Sequence, residues 1–133
     1  MAQWHDKSAR KASGGRRTTL RRRDKILSHK GSDPVHTTVA SEDRRFVAKT
    51  KRGGIKVKAR KANHASVLDP KTRKVLVCEI LNVSENPANR QFARRNVITK
   101  GAVIEVKLAS GSTAKAKVTS RPGQSGSVQA VLQ

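Results

Sequence analysis

The chain has 133 residues, which is enough for one domain with a small core. It carries 30 lysines and arginines against 9 aspartates and glutamates, and the resulting formal charge of +21 favours a polyanionic partner. The sequence contains only three aromatic residues, Trp4, Phe46 and Phe92. So few aromatic residues argue against a membrane-binding helix and against a stacking platform for single-stranded nucleic acid. The composition therefore favours recognition of a folded nucleic acid through its phosphates and its shape.

Residues 1–32 are predicted to form a basic, extended N-terminal tail. They hold ten lysines and arginines and very few apolar residues, so they cannot bury themselves. Arginine-rich segments of this kind order on a polyanion as phosphates displace counterions, although a flexible solvated tail is the alternative. The candidate RNA-binding cations of the tail are Lys7, Arg10, Lys11, Arg16, Arg17, Arg21, Arg22, Arg23, Lys25 and Lys30.

Two further features of the tail are candidates for RNA contact. Gly14 and Gly15 permit a tight bend over 13–17, with backbone N–H groups exposed to phosphate oxygens between flanking arginines. Trp4 could stack on an exposed base or dock into an apolar pocket of the protein, and the sequence leaves both open.

A turn signal at 31–34 marks the boundary of a second region, 33–133, which is predicted to be an all-β domain. Turn signals follow at 69–72, 109–112 and 121–126, the last two as hairpin connections. Small aliphatic residues must fill the interior, which suits a narrow β-barrel of short antiparallel strands. The predicted strands are 35–40, 45–49, 55–61, 64–68, 75–83, 102–108, 113–119 and 128–132.

The stretch 51–61 is the strongest functional signal in this domain, because a two-glycine turn leads into strict alternation. We expect Ile55, Val57 and Ala59 to face a core, with the intervening cations spaced about every 7 Å on the solvent face. Gly53 and Gly54 could form a hairpin turn alone, or a turn whose N–H groups also approach a phosphate. The candidate RNA-binding residues are Lys51, Arg52, Gly53, Gly54, Lys56, Lys58, Arg60 and Lys61.

Residues 75–78 are apolar at every position, which is typical of a central strand covered on both faces. Cys78 is then expected to be a buried small hydrophobe rather than a nucleophile.

The segment 86–100 interrupts the strands with a loop and a predicted short helix over 88–95. Its arginines either form an ordinary solvent-exposed face or contact RNA. Asn89 and Asn96 could instead fix the loop backbone. The candidate RNA-binding residues here and beyond are Asn89, Arg90, Arg94, Arg95, Lys100, Lys115, Lys117 and Arg121.

Catalytic and metal chemistry are not indicated. His5, His29, His36 and His64 share no metal-ligand spacing, and the single cysteine excludes multi-cysteine zinc motifs and an internal disulfide. The carboxylates are scattered among cations and suit ion pairing better than acid–base catalysis. We predict no enzyme, no cofactor, no metal site, no small-molecule substrate and no membrane association.

Several segments together resemble one known family. They are RKASGGR at 10–16, RGG at 52–54, Asn86-Pro87-Ala88-Asn89, RRNVITKGA at 94–102 and VTSRPGQ at 118–124. In this order they resemble ribosomal protein S-eight-e, a small-subunit family of archaea and eukaryotes, in its compact archaeal form. Each glycine or arginine motif alone would be weak evidence, but the set covers nearly the whole chain.

The resemblance implies a structural protein of the small ribosomal subunit in the cytoplasm. Its implied partners are small-subunit rRNA and neighbouring small-subunit proteins, with a β-barrel body and a basic tail threaded among rRNA helices. A free-standing nucleic-acid chaperone or DNA-compacting protein is the alternative, and it would bind duplex DNA and unrelated RNAs equally.

Overall fold

A computed structural model describes residues 3–5, 7–18, 27–108 and 111–133, with Lys51 described by its backbone alone. The contacts divide the chain into two compact units, Met1–Pro34 and Val35–Gln133. The predicted division into a tail at 1–32 and a domain at 33–133 stays a prediction. The structure does not show the predicted extended form of the tail, since Gln3 and Trp4 pair with Gly31 and Lys30. Among the described residues, no helix is long and apolar enough to cross a membrane.

The first unit contains two short paired strands, β1 (Gln3–Trp4) and β2 (Lys30–Gly31), with Trp4 opposite Lys30. A 3-10 turn at Leu27–His29 precedes β2. Around Gly14, whose φ is +83°, Arg10 and Arg16 form an antiparallel bridge. The predicted bend at 13–17 is therefore confirmed, because the chain reverses there.

The second unit is built mainly from strands. Two short helices interrupt them, α1 (Arg90–Arg94) and α2 (Pro122–Ser125). Its strands are β3 (Thr37–Val39), β4 (Arg44–Lys49), β5 (Ile55–Ala62), β6 (His64–Leu68), β7 (Val75–Glu85), β8 (Val97–Ile98), β9 (Val103–Lys107), β10 (Thr113–Val118) and β11 (Gln129–Leu132).

Five strands close into a barrel in the order β10-β11-β6-β7-β9, and β9 pairs back onto β10. Neighbouring strands are antiparallel except β11 and β6, which run parallel. The inward positions alternate along each strand and carry small aliphatic residues, among them Ile104, Val106, Ala116 and Val118, all fully buried. This confirms the predicted narrow barrel packed with side chains.

A second sheet of order β4-β5-β3-β8 lies within the same unit. β5 is antiparallel to β4 and parallel to β3. Thr37 of β3 is buried, and its Oγ1 donates a hydrogen bond to the Ala59 carbonyl oxygen at 2.7 Å, so its hydroxyl is satisfied. Ala62 and Ile98 connect this sheet to the barrel core.

The structure corrects two sequence predictions about these strands. The 51–61 stretch does not belong to the barrel, since β5 pairs with β3 and β4 instead. The strand at 75–83 does lie between two barrel strands, but its outer face is bare: Val75 and Val77 are 61% and 72% exposed. Cys78 on the inner face is buried as predicted, and burial raises the pKa of its thiol.

Candidate nucleic-acid interface

The β4–β5 hairpin carries cations on one face. Lys56 pairs with Ala48 and Lys58 pairs with Phe46 across the two strands. Lys58 Nζ lies 6.0 Å from the centroid of the Phe46 ring, within the distance at which a cation is attracted to an aromatic face. Lys56 is exposed, as predicted, whereas Lys58 is half-buried beside Phe46.

The opposite face of the hairpin is not the core face that alternation predicts. Ile55 is 68% exposed, and Val57 is exposed together with its cross-strand partner Val47. The prediction that Ile55 and Val57 pack on a core is wrong, because five other strands build the barrel interior. β5 reaches the buried interior only at Ala59 and Ala62.

A register shift then breaks the alternation of β5. Arg45 pairs with Ala59 whereas Arg44 pairs with Lys61, so one extra residue, Arg60, is inserted on β5. An inserted residue changes which face the following side chains occupy. Arg60 and Lys61 are consequently both exposed, and two adjacent cations stand beside Arg44 of the partner strand.

The tip of the hairpin is a tight turn. The Thr50 N–H donates to the Gly54 carbonyl oxygen at 2.7 Å, and a 3-10 turn occupies Lys51–Gly53. Gly53 has a φ of +76°, and Arg52 adopts the left-handed region at φ +61° and ψ +36°. The predicted glycine turn is confirmed, with the addition of a left-handed arginine that costs roughly 1–2 kcal/mol of backbone strain.

Helix α2 and the residue after it pack on the hairpin. Lys56 Nζ donates to Gln124 Oε1 at 3.2 Å. A side chain at Gly126 would place Cβ 2.8 Å from Val57 Cγ1, so only glycine allows this approach. Sequence reasoning missed Gln124 as a positioning residue, although Pro122 at the first helical turn and a left-handed Gly126 at the C-cap are recognisable helix signals.

The loop before and after α1 is fixed by asparagine side chains. Asn89 caps the helix by accepting a hydrogen bond from the Gln91 N–H at 2.9 Å, and Asn96 Oδ1 accepts from the Val83 N–H at 3.3 Å. Asn86 is buried and hydrogen-bonds with Val97, Ala88 and Thr99. The backbone-fixing alternative therefore holds for Asn89 and Asn96, while RNA contact by Asn89 stays a prediction.

A cleft brings together two candidate cations that are distant in sequence. Arg90 of α1 and Lys117 of β10 line the same cleft of about 640 Å³, together with Glu85. The remaining cations in this region are dispersed over the exposed surface: Arg94, Arg95, Lys100, Lys115 and Arg121.

The candidate residues of the first unit are exposed where they are described. Arg10 Nη1 donates to the Gly14 carbonyl oxygen at 3.0 Å and so supports the bend. Trp4 is 39% exposed, which leaves stacking on a base and docking on protein both open. Lys7, Lys11, Gly15, Arg16, Arg17 and Lys30 are also exposed, whereas Arg21, Arg22, Arg23 and Lys25 lie outside the described residues.

Comparison with known proteins covers nearly the whole chain. The sequence matches the family described as Ribosomal protein S8e over residues 4–133. It is 40% identical over 132 residues to small ribosomal subunit protein eS8 of Methanococcus aeolicus and 37% identical over 132 residues to that of Sulfolobus acidocaldarius. It is 41% identical over 133 residues to the protein of that name from Methanosphaera stadtmanae. Each alignment covers 99% of this chain and 98% of the relative.

These matches extend over the barrel, the second sheet and most of the basic N-terminal region, and they agree with the motifs seen in the sequence. The chain therefore belongs to the ribosomal protein S8e family, a structural and non-enzymatic family of the small ribosomal subunit.

Proposed function

We propose that this protein binds and stabilises folded rRNA in the cytoplasmic small subunit, chiefly through the β4–β5 hairpin. The observation that carries the proposal is the exposure of the hairpin's cations on a strand pair that contributes little to the core. A hairpin that served only to complete the fold would have its apolar side chains covered. The cations that the proposal assigns to RNA are Arg44, Arg45, Lys49, Arg52, Lys56, Lys58, Arg60 and Lys61.

The hairpin suits a phosphate backbone in spacing and in chemistry. Residues two apart on a strand are separated by about 7 Å, which is similar to the spacing of successive phosphates along a strand. The register shift brings together two guanidinium groups, of Arg44 and Arg60, and the flexible ammonium of Lys61. Arginine binds phosphate in a bidentate manner. The hairpin therefore positions the protein on RNA by shape and charge rather than by reading base sequence.

The N-terminal region supplies a second contact. Its bend around Gly14 and Gly15 exposes backbone at a side-chain-free turn between Arg10 and Arg16. We propose that residues 1–32 follow a crevice between rRNA helices, where neutralised phosphates release counterions. Neighbouring small-subunit proteins are the further partners in this proposal.

The experiment that tests the hairpin compares two double variants of equal charge. Arg60→Ala with Lys61→Ala removes two hairpin cations, and Lys71→Ala with Lys74→Ala removes two exposed cations from the β6–β7 turn. Binding of transcribed small-subunit rRNA is measured by filter retention across a salt series. If both hairpin cations contact phosphate, the slope of log K against log salt becomes shallower by roughly 1.4–1.8 for the hairpin variant.

The control pair should leave the slope within error of the parent chain. Equal effects from both pairs would mean that the hairpin contributes only general charge, and the proposed interface would then be wrong. A competition with duplex DNA separates this function from that of a free nucleic-acid chaperone, which would bind both polymers alike. Sedimentation of lysate after a high-salt wash provides the cellular counterpart, because an integral subunit protein co-migrates with small subunits.

A further inference from the structure

The open cleft beside α1 has the volume of a small-molecule site, and its lining combines charged and apolar side chains. Its volume of about 640 Å³ falls within the roughly 300–1,000 Å³ typical of such sites. It lies where the loop after β7, helix α1 and strand β10 meet. The residues that matter for its chemistry are Glu85, Pro87, Arg90, Ala93, Val103 and Lys117.

The polar groups of the cleft divide into structural and available ones. Asn86 is committed to the fold, since its Nδ2 donates to the Val97 carbonyl oxygen and its Oδ1 accepts from the Ala88 N–H and the Thr99 hydroxyl. Glu85, Arg90 and Lys117 are exposed, and their side chains make no hydrogen bond or ion pair with another described residue. Two cations, one carboxylate and an apolar wall are thus available to a ligand.

We infer that this cleft binds one unpaired guanosine nucleotide of the RNA, an inference that rests on the proposed function. Arg90 and Lys117 are the groups for its phosphate, and Pro87, Ala93 and Val103 provide the apolar surface for the base. The Glu85 carboxylate accepts hydrogen bonds from the Watson–Crick edge of the base. Unpaired bases are commonly recognised by hydrogen bonds to the Watson–Crick edge together with packing of the base. In this cleft the packing surface is aliphatic, because none of the described residues that line it is aromatic.

The carboxylate selects guanine because guanine presents two adjacent hydrogen-bond donors. An ionised carboxylate only accepts hydrogen bonds, and its two oxygens accept side by side. The Watson–Crick edge of guanine offers adjacent N1–H and N2–H donors. Adenine, cytosine and uracil each place an acceptor beside their donor, and that acceptor would face a carboxylate oxygen without a proton between them. Glu85 therefore favours guanine.

The test uses the full chain, labelled with nitrogen-15 and titrated with the four nucleoside monophosphates at a salt concentration that suppresses binding to the tail. We expect guanosine monophosphate to shift the backbone amides of Ala93, Gly101 and Val103 saturably, because all three line the cleft. A good bidentate contact corresponds to about tenfold tighter binding than for the other three nucleotides. Equal affinities for all four, or shifts confined to other residues, overturn the inference.

Three variants test the base contact, the phosphate contact and a control position separately. Glu85→Gln should abolish the preference for guanine, Arg90→Ala should weaken every monophosphate several-fold while leaving the nucleoside guanosine nearly unaffected, and Lys71→Ala should change nothing. If Glu85→Gln retains the preference, the carboxylate does not read the base. Binding of small-subunit rRNA by the same preparation separates the two proposals: a steep salt dependence without guanosine monophosphate binding rejects the cleft and keeps the proposed function, whereas loss of both rejects both.

Discussion

Asp43 Oδ1 accepts the Asn63 N–H at 2.7 Å, so a side chain that precedes β4 holds the residue at which β5 passes into β6. The second carboxylate oxygen lies 3.2 Å from His64 Nδ1. Because Asn63 separates the second sheet from the barrel, this carboxylate fixes the position of the basic hairpin relative to the barrel wall.

The first prediction concerns this carboxylate. Burial acts to raise the pKa of Asp43, but hydrogen bonds from the Asn63 N–H and from His64 outweigh it, so the pKa lies below its ordinary value of 3.8. Asp43→Ala should lower the free energy of unfolding at neutral pH by about 1–2 kcal/mol. Glu42→Ala is the matched control, since it removes a neighbouring exposed carboxylate.

The pH dependence of this effect has a definite sign. A carboxylate with a lowered folded-state pKa stabilises the fold above its unfolded pKa, and this contribution is lost as the pH falls through the folded value. Urea unfolding of the parent and of Asp43→Ala should therefore differ at neutral pH and converge at a pH below the lowered pKa of Asp43. A difference that persisted after protonation would assign the effect to packing instead.

A second prediction concerns replacing glycine by alanine, and it separates the cost of backbone strain from the cost of a steric clash. Gly126 and Gly111 both have positive φ, at +74° and +82°, so alanine at either position should cost about 1 kcal/mol of conformational strain. Only at Gly126 does the new Cβ approach Val57 Cγ1, at 2.8 Å. Gly126→Ala should therefore destabilise by roughly 1–3 kcal/mol more than Gly111→Ala in urea unfolding. Similar values for the two would show that α2 does not hold the hairpin closely.

A third prediction concerns the buried amide in the Asn86-Pro87 motif. Asn86→Ala leaves the Val97 carbonyl oxygen, the Ala88 N–H and the Thr99 hydroxyl without their partner, and it should cost about 2–4 kcal/mol. Asn82→Ala, at an exposed position of β7, serves as the control and should cost far less. Thermal unfolding measures both. A small effect of Asn86→Ala would mean that water replaces the amide.

A fourth prediction is the salt dependence of the intact protein. If on the order of ten phosphates are neutralised, log K for rRNA should fall with log salt at a slope of roughly −7 to −9. Isothermal titration or filter binding across a salt series provides the slope. A slope near zero would be incompatible with recognition through phosphates.

A fifth prediction concerns the independence of the two units. Residues 33–133 alone should unfold at the same urea midpoint as the full chain, since the core cluster lies entirely within Val35–Gln133. The shortened chain should bind rRNA more weakly and with a shallower salt slope, because the cations of 1–32 are missing. Loss of the cooperative unfolding transition on shortening would contradict the proposed domain boundary.

Periodicity was a good guide to the strands and a poor guide to their partners. The predicted strand 64–68 matches β6 in full, and most others agree within one or two residues. The two-residue β8, which pairs with β3, was too short to show a period. Alternation in β5 identified two faces, but whether a face meets other strands depends on pairing between segments distant in sequence, which one strand cannot reveal.

Some features of the candidate interface could be predicted from the sequence and others could not. Exposed cations such as Lys56 and Arg90 were predictable, because charge keeps a side chain at the surface. The meeting of Arg90 with Lys117 at one cleft was not, since it depends on the pairing of β9 with both β7 and β10, which places Glu85 and Lys117 on either side of Val103. The same holds for Gln124 near Lys56, whose contact joins residues 68 positions apart.

The parallel pairing of β11 with β6 has a consequence for the order of events during synthesis. Gln129 lies opposite Ser66, so the barrel stays open along that seam until β11 has left the ribosome that makes it. Closing so long a loop is slow compared with forming local hairpins. Until then the segment of the cationic hairpin has been synthesised while the barrel is incomplete. A nascent chain can thus meet RNA before its own barrel has closed, and unpaired strand edges at that stage are a hazard that the final strand removes.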